Sequence, residues 1–192
     1  VRVFKRQIRG QLRNGWTKAV KKLIATKQVK RLFSDYDMDE AKARLAAGYF
    51  AAGRDEWAVK WAGEAAARSG RFLPEANWTA GLASWRLGRR SEAALYFEAA
   101  ALTRGMSGWM TSAAAFWSAR AHLVDGKPEK VNRMLGLASA YPRTFYGLLA
   151  RKMLGLPSSF SWQTPGLEQP ALDAVASSPA GRRSLALLQV GE

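Results

Sequence analysis

The sequence predicts an all-α protein, a right-handed α-superhelix or solenoid of tetratricopeptide-like helix pairs. Three observations carry that expectation. Alanine, leucine and arginine dominate the 192 residues and β-branched residues are sparse, a balance that favours helix. Apolar residues recur at helical spacing, with no strand-like alternation to compete. A pattern of glycines and small residues returns at intervals of 35 and 38 residues, close to the length of a helix–turn–helix repeat.

Residues 1–34 read as a basic helical segment. Trp16, Val20, Ile24, Val29, Leu32 and Phe33 are spaced near the helical period. The segment holds eleven Lys or Arg and no acid, and so most of the chain's net charge of +15. Such a front end suits an anionic polymer, anionic lipid or nucleic acid, or else a solvated face that pairs with acids elsewhere in the fold.

Residues 35–155 read as the repeat region. The acids of "SDYDMDEAK" stand where a helix N-terminus favours negative charge. The helix they open runs through Leu45, Tyr49 and Phe50 to Gly53. Gly53, Gly88 and Gly126 then anchor three similar stretches. Seven residues before each anchor stand Ala46, Gly81 and Ala119; five after stand Ala58, Ala93 and Val131. Nine after come Ala62, Phe97 and Leu135, and twelve after come Ala65, Ala100 and Ala138. A glycine ends a helix by turning left-handed. Small residues at fixed positions let two helices approach closely, and the aromatics beside them fill the space between successive pairs. Ser91 is placed to cap the second helix of its pair, and Pro128 suits the first turn of its own. A further helix starts at Pro142 or Thr144 and stops at Gly155 and Pro157. Its apolar positions cover more than half its circumference, which predicts burial on more than one side.

Residues 156–192 change character. Proline, serine and glycine predict a long loop with at most a short helix, and "RRSLALLQVGE" then begins another helix pair and reaches Gly191. The chain opens on Val1 and stops within that pair, which reads as a piece of a longer protein. Without cysteine there is no disulfide and no thiolate chemistry. No apolar run is long enough to span a membrane.

Catalytic constellations are thin. His122 is the lone histidine and sits inside a repeat helix, where a packing or surface role is the ordinary one. Glu56, Glu75, Glu92 and Glu129 fall near helix starts, while Glu64 and Glu98 lie within helices, placed to pair with Lys or Arg. No catalytic residue, metal ligand or cofactor is expected from these residues, and substrate-binding residues are left unassigned. Trp57, Trp61, Trp78, Trp85 and Trp117, with Tyr49, Tyr96, Tyr141 and Tyr146, recur at helical spacing and read as core. Trp109, in a turn, and Trp162, in the long loop, are the better candidates for exposed stacking surfaces. Arg86, Arg89 and Arg90 cluster at a turn between helices and read as solvated.

The stretch "SAAAFWSARAHLVDGKPEKVNRMLGLASAYPRTFYGLLARKMLG" resembles the α-superhelical region of soluble lytic murein transglycosylases. That family pairs Y/F-W-x-A-R, here Phe116, Trp117, Ala119 and Arg120, with P-x-T-F-Y-G-x-L-A-x-x-x-L-G. Pro142, Thr144, Phe145, Tyr146, Gly147, Leu149, Ala150, Leu154 and Gly155 supply the second part. The specific likeness covers about residues 76 to 192. It implies a periplasmic enzyme that cleaves the MurNAc–GlcNAc β-1,4 bond of peptidoglycan and leaves a 1,6-anhydro end. It also implies that the acid–base Glu lies in a lysozyme-like domain following the superhelix, marked by Glu-Ser and then Gly-Leu-Met-Gln. Neither signature occurs in this sequence. The implied reading is therefore a non-catalytic portion whose partners are glycan strands and the catalytic domain of the same parent chain. Two other readings stand beside it. One is a tetratricopeptide-like scaffold for protein partners; the other, a nucleic-acid arm, is not expected, because no stacking surface accompanies the charge.

Overall fold

The computed structural model describes residues 1–157 and 168–190. Among these the chain is all-helical, with twelve α-helices and no strand. It divides into two compact units, Val1–Ser158 and Ser159–Glu192.

The basic segment holds three short helices where the periodicity alone reads as helix throughout: α1 (Arg2–Arg13), α2 (Thr17–Ile24) and α3 (Lys27–Leu32). Two local signals break it. Gly15 turns left-handed at φ 72°, and Trp16 N–H reaches back to the Gln11 carbonyl, a closed C-terminal cap. Thr26 is extended and its hydroxyl accepts from Val29 N–H, which starts a new helix rather than prolonging the old one. Ile8, Val20, Ile24, Val29 and Phe33 point inward and share a core with Ala41, Leu45 and Tyr49. The segment is thus packed onto the repeats. Trp16 and Leu32, though in period, are exposed.

Seven helices follow in the first unit: α4 (Asp35–Ala51), α5 (Asp55–Ser69), α6 (Pro74–Arg86), α7 (Arg90–Ala101), α8 (Gly108–Val124), α9 (Val131–Ser139) and α10 (Phe145–Met153). Each packs chiefly on the helices before and after it, while α4 also meets α6 and α8 meets α10. Ser34 and Asp37 close a reciprocal capping box at the start of α4. Gly53, Gly88 and Gly126 take φ of 69°, 77° and 73°, so the three anchors do end their helices. Ala46, Ala58, Ala62, Ala65, Ala93, Ala100 and Ala138 are fully buried, and Phe97 presses on Gly81. The small positions are therefore where helices meet.

Two local expectations fail. Ser91 is not a cap: Arg89 holds the cap position of α7 and Ser91 Oγ donates to Asp125 on the next turn. The α10 helix is covered on one face only. Gly147 and Ala150 are buried, but Phe145 and Met153 remain more than half exposed. A wide apolar arc on a helix needs neighbours on two sides, and α8 and α9 approach from one.

The second unit contains α11 (Gln169–Ala176) and α12 (Pro179–Gln189), the latter capped by Ser178. The long loop expected here falls largely on residues 158–167, and Trp162 with it, outside the described residues.

Candidate functional site

The Phe116–Arg120 stretch and the Pro142–Gly155 stretch meet in space. Trp117 Nε1–H donates to the Tyr146 hydroxyl at 3.1 Å, and the Phe116 and Tyr146 rings lie 5.3 Å apart. Thr144 caps α10 through Gly147 N–H, and its hydroxyl donates to Ser112 Oγ on α8 at 2.8 Å. Arg120 lies over Trp117 and Trp85, 5.1 and 5.4 Å from their ring centres. The Trp117–Tyr146, Phe116–Tyr146 and Thr144–Ser112 contacts dock α10 onto α8, while Arg120 links α8 to Trp85 of α6.

Several of the carboxylates are paired with basic side chains. Arg86 holds Asp55 through Nε at 2.9 Å and lies over the Phe50 ring at 3.8 Å. Arg89 reaches both oxygens of Glu56 at 2.8 Å, and Arg90 donates to the Trp85 carbonyl at 2.6 Å. Arg86 and Arg89 are exposed, as a solvated turn implies, but they also tie α6 and α7 to the start of α5. Glu64 pairs with Lys42 at 2.9 Å. Glu98 gathers three side chains: His122 through Nε2 at 3.0 Å, and the cations Arg133 at 3.4 Å and Lys130 at 3.7 Å. His122 is buried and its Nδ1 has no partner. The sequence left His122 either packed or on the surface; the fold buries it, and its Glu98 partner lies 24 residues away.

One acid is more deeply set than its place in "SDYDMDEAK" suggests. Asp39 is fully buried and accepts from Arg68 at 2.8 Å through both oxygens and from Ser69 at 2.6 Å. Burial alone would push its carboxyl up, but the hydrogen bonds from Arg68 and Ser69 outweigh it and hold the group below its ordinary value. Asp37 is lowered by Lys5 and Ser34; Glu40 is lowered too, since Lys5 and Arg44 more than offset its burial. A carboxyl held low in the fold adds stability above its unfolded pKa, and that stability disappears as pH falls through the folded value. The unfolding free energy is therefore expected to decline between about pH 5 and pH 2. Asp39→Asn is expected to shallow the decline in urea titrations across that range; a flat profile in the unmodified chain would refute the linkage.

Trp78, Trp85 and Trp117 surround Phe97 or one another at 5.4–5.9 Å, as core aromatics do. Trp109 is 64% exposed at the start of α8, in keeping with a free stacking surface. Near it, Tyr36, Arg44, Phe72, Glu75 and Arg104 border an open groove of about 630 Å³ along α4, α6 and the turn before α8. Of the eleven basic residues in 1–34, Lys5 alone forms an ion pair among the described residues, with Asp37 at 2.6 Å and Glu40 at 2.7 Å. Among the described residues no three His, Asp or Glu gather closely enough to hold a metal, and no helix is long and apolar enough to cross a membrane. No family model, curated protein or solved structure matches this chain.

Proposed function

We propose that this chain is the non-catalytic superhelical portion of a periplasmic lytic transglycosylase, one that cleaves the MurNAc–GlcNAc β-1,4 bond of peptidoglycan to 1,6-anhydro-muropeptides. Its helix pairs wind as a right-handed, tetratricopeptide-like superhelix. Its work is to hold or orient the glycan and to brace the catalytic domain. The observation that carries the reading is the docking of Phe116–Trp117 on Tyr146, since the residues of the sequence likeness also form one contact. The positive charge of residues 1–34, which apart from Lys5 forms no ion pair among the described residues, supports the holding role, because peptidoglycan peptides carry carboxylates.

The test is a pull-down with purified sacculi across a salt series, with anhydro-muropeptide release followed alongside. Retention is expected at low salt, falling as added salt screens the charges within about 10 Å at 0.1 M, with no product released. Release of anhydro product would mean a catalytic carboxylate lies within this chain. Absence of retention at low salt would remove the polymer-holding role. A protein-binding scaffold is the alternative, favoured by the exposed Tyr36 and Phe72 on the 630 Å³ groove.

A further inference from the structure

Lys18, Lys21 and Lys22 of α2 face Arg54, across the turn between α4 and α5, around an open groove of about 610 Å³. Tyr49 and Trp57 line its apolar side, and no carboxylate borders it. None of the four cations forms an ion pair among the described residues, although Asp55 and Glu56 follow Arg54 directly; those acids are held by Arg86 and Arg89. The repeat architecture has thus drawn the nearby negative charge away and left the positive charge free.

Lys21 is the pivot of this surface. Its ammonium lies 4.3 Å from the centre of the Trp57 ring, and Lys60 lies 5.6 Å from it. Lys21 also borders a second groove of about 410 Å³, which continues past Phe33 and Trp61 to Lys30. The one acid on that groove, Asp35, is engaged by Arg68 at 2.8 Å. Two adjoining grooves therefore string Arg54, Lys18, Lys22, Lys21 and Lys30 along one trough. A single small anion needs a closed, convergent pocket. A row of free cations in an open trough matches a linear chain of negative groups.

The aromatic rings narrow the class. A single-stranded nucleic-acid groove offers free ring faces for bases. Here Tyr49 stacks on Trp57 at 5.9 Å with Lys21 also over the ring, and Lys42 lies 5.9 Å over Trp61. Those rings seat lysines. Lysine is a compact point charge on a flexible stem, suited to carboxylates spaced irregularly along a polymer.

We infer that this trough is the binding track for a carboxylate-bearing glycan strand. The identity of the strand rests on the reading given under Proposed function; the location does not. The test uses the full chain and two variants of equal charge. The first carries Lys18→Gln, Lys21→Gln, Lys22→Gln and Arg54→Gln. The second removes Arg2, Arg6, Arg9 and Arg13, also to Gln; these lie in one exposed stripe along α1, away from the trough lining. Sacculi and a single-stranded oligothymidylate serve as ligands, and circular dichroism checks folding. The trough variant is expected to bind sacculi about tenfold more weakly, and the stripe variant to lose no more than about threefold. If the trough variant misfolds, the Lys18→Gln/Lys22→Gln pair, both exposed, decides the matter with a smaller loss of the same sign.

Equal losses in both variants would mean that net charge acts without a site. Undiminished binding by the trough variant would overturn the location while leaving the proposed function standing. Failure of the unmodified chain to bind sacculi would overturn both together. Tight oligothymidylate binding that the trough variant loses would assign the trough to nucleic acid instead.

Discussion

Phe97→Ala is expected to lower the unfolding free energy by about 3–5 kcal/mol, the largest effect of any single substitution considered. Phe97 is fully buried where α6, α7 and α8 meet, with Trp78 5.4 Å and Trp117 5.9 Å from its ring centre. Its ring occupies the space left by Gly81, where a Cβ would come within 2.7 Å of it. The buried residues clustered with it, Ala93, Ala94 and Ala121, have methyl side chains that cannot reach across to refill a void, and of the partly buried ones Leu82 is the side chain free enough to move toward it. Most of the cavity is therefore expected to stay open, so that transfer and cavity costs add. Aromatic pairing contributes a further 0.5–1.5 kcal/mol or about that. Urea denaturation measures the loss. Gly81→Ala alone is expected to destabilise and, in the Phe97→Ala background, to recover part of the loss, a coupling that a double-mutant cycle reads directly. A loss under about 1 kcal/mol would show that the three helices can close over the gap.

Gly147→Ala is expected to cost about 2–3 kcal/mol. On an unencumbered helix the same change would gain about 1 kcal/mol. Here the added Cβ would fall on the Tyr141 carbonyl oxygen and lie 2.8 Å from Thr144 Oγ1. Backbone cannot move aside cheaply, so α10 must shift as a body. The Thr144–Ser112 and Trp117–Tyr146 hydrogen bonds that fix it to α8 would go with it. Gly136→Ala is the control: it lies inside α9 with nothing within 4 Å of its Cβ, and it is expected to stabilise. Opposite signs at Gly147 and Gly136 in thermal or urea melts support the docking geometry. Like signs would mean that α10 is not held where the motif contacts place it.

The helix pairs were legible because their signals are local and periodic. A glycine anchor, a small residue seven before it and another twelve after it are all read within one repeat, and Gly53, Ala46 and Ala65 each take the place expected of them. The breaks within residues 1–34 were missed because apolar period runs on through Gly15 and Thr26, although both carry turn chemistry. The partners of Arg86 and Arg89 were missed for a different reason. Their acids, Asp55 and Glu56, lie 31 and 33 residues earlier, and only the packing of one pair on the next brings them together. The same distance in sequence hid Asp39 with Arg68 and Glu98 with Arg133. The trough was half visible: its lysines stand out as a run, but their freedom depends on where every nearby acid has gone, which is a property of the fold. For α10, helix and cap were readable, while the exposure of Phe145 and Met153 was not, because an apolar arc states a need for neighbours and not their presence.

From α4 to α10 each helix rests on those next to it in sequence, and this bears on how the chain assembles. Little in this stretch waits for distant residues to find one another, so the entropy of loop closure is small at every step. A helix pair, once formed, offers the next segment a surface to settle on, whether assembly proceeds toward the N-terminus or away from it. A chain emerging from the ribosome would carry a completed stack and one unfinished apolar end, and that end would advance by one helix at a time.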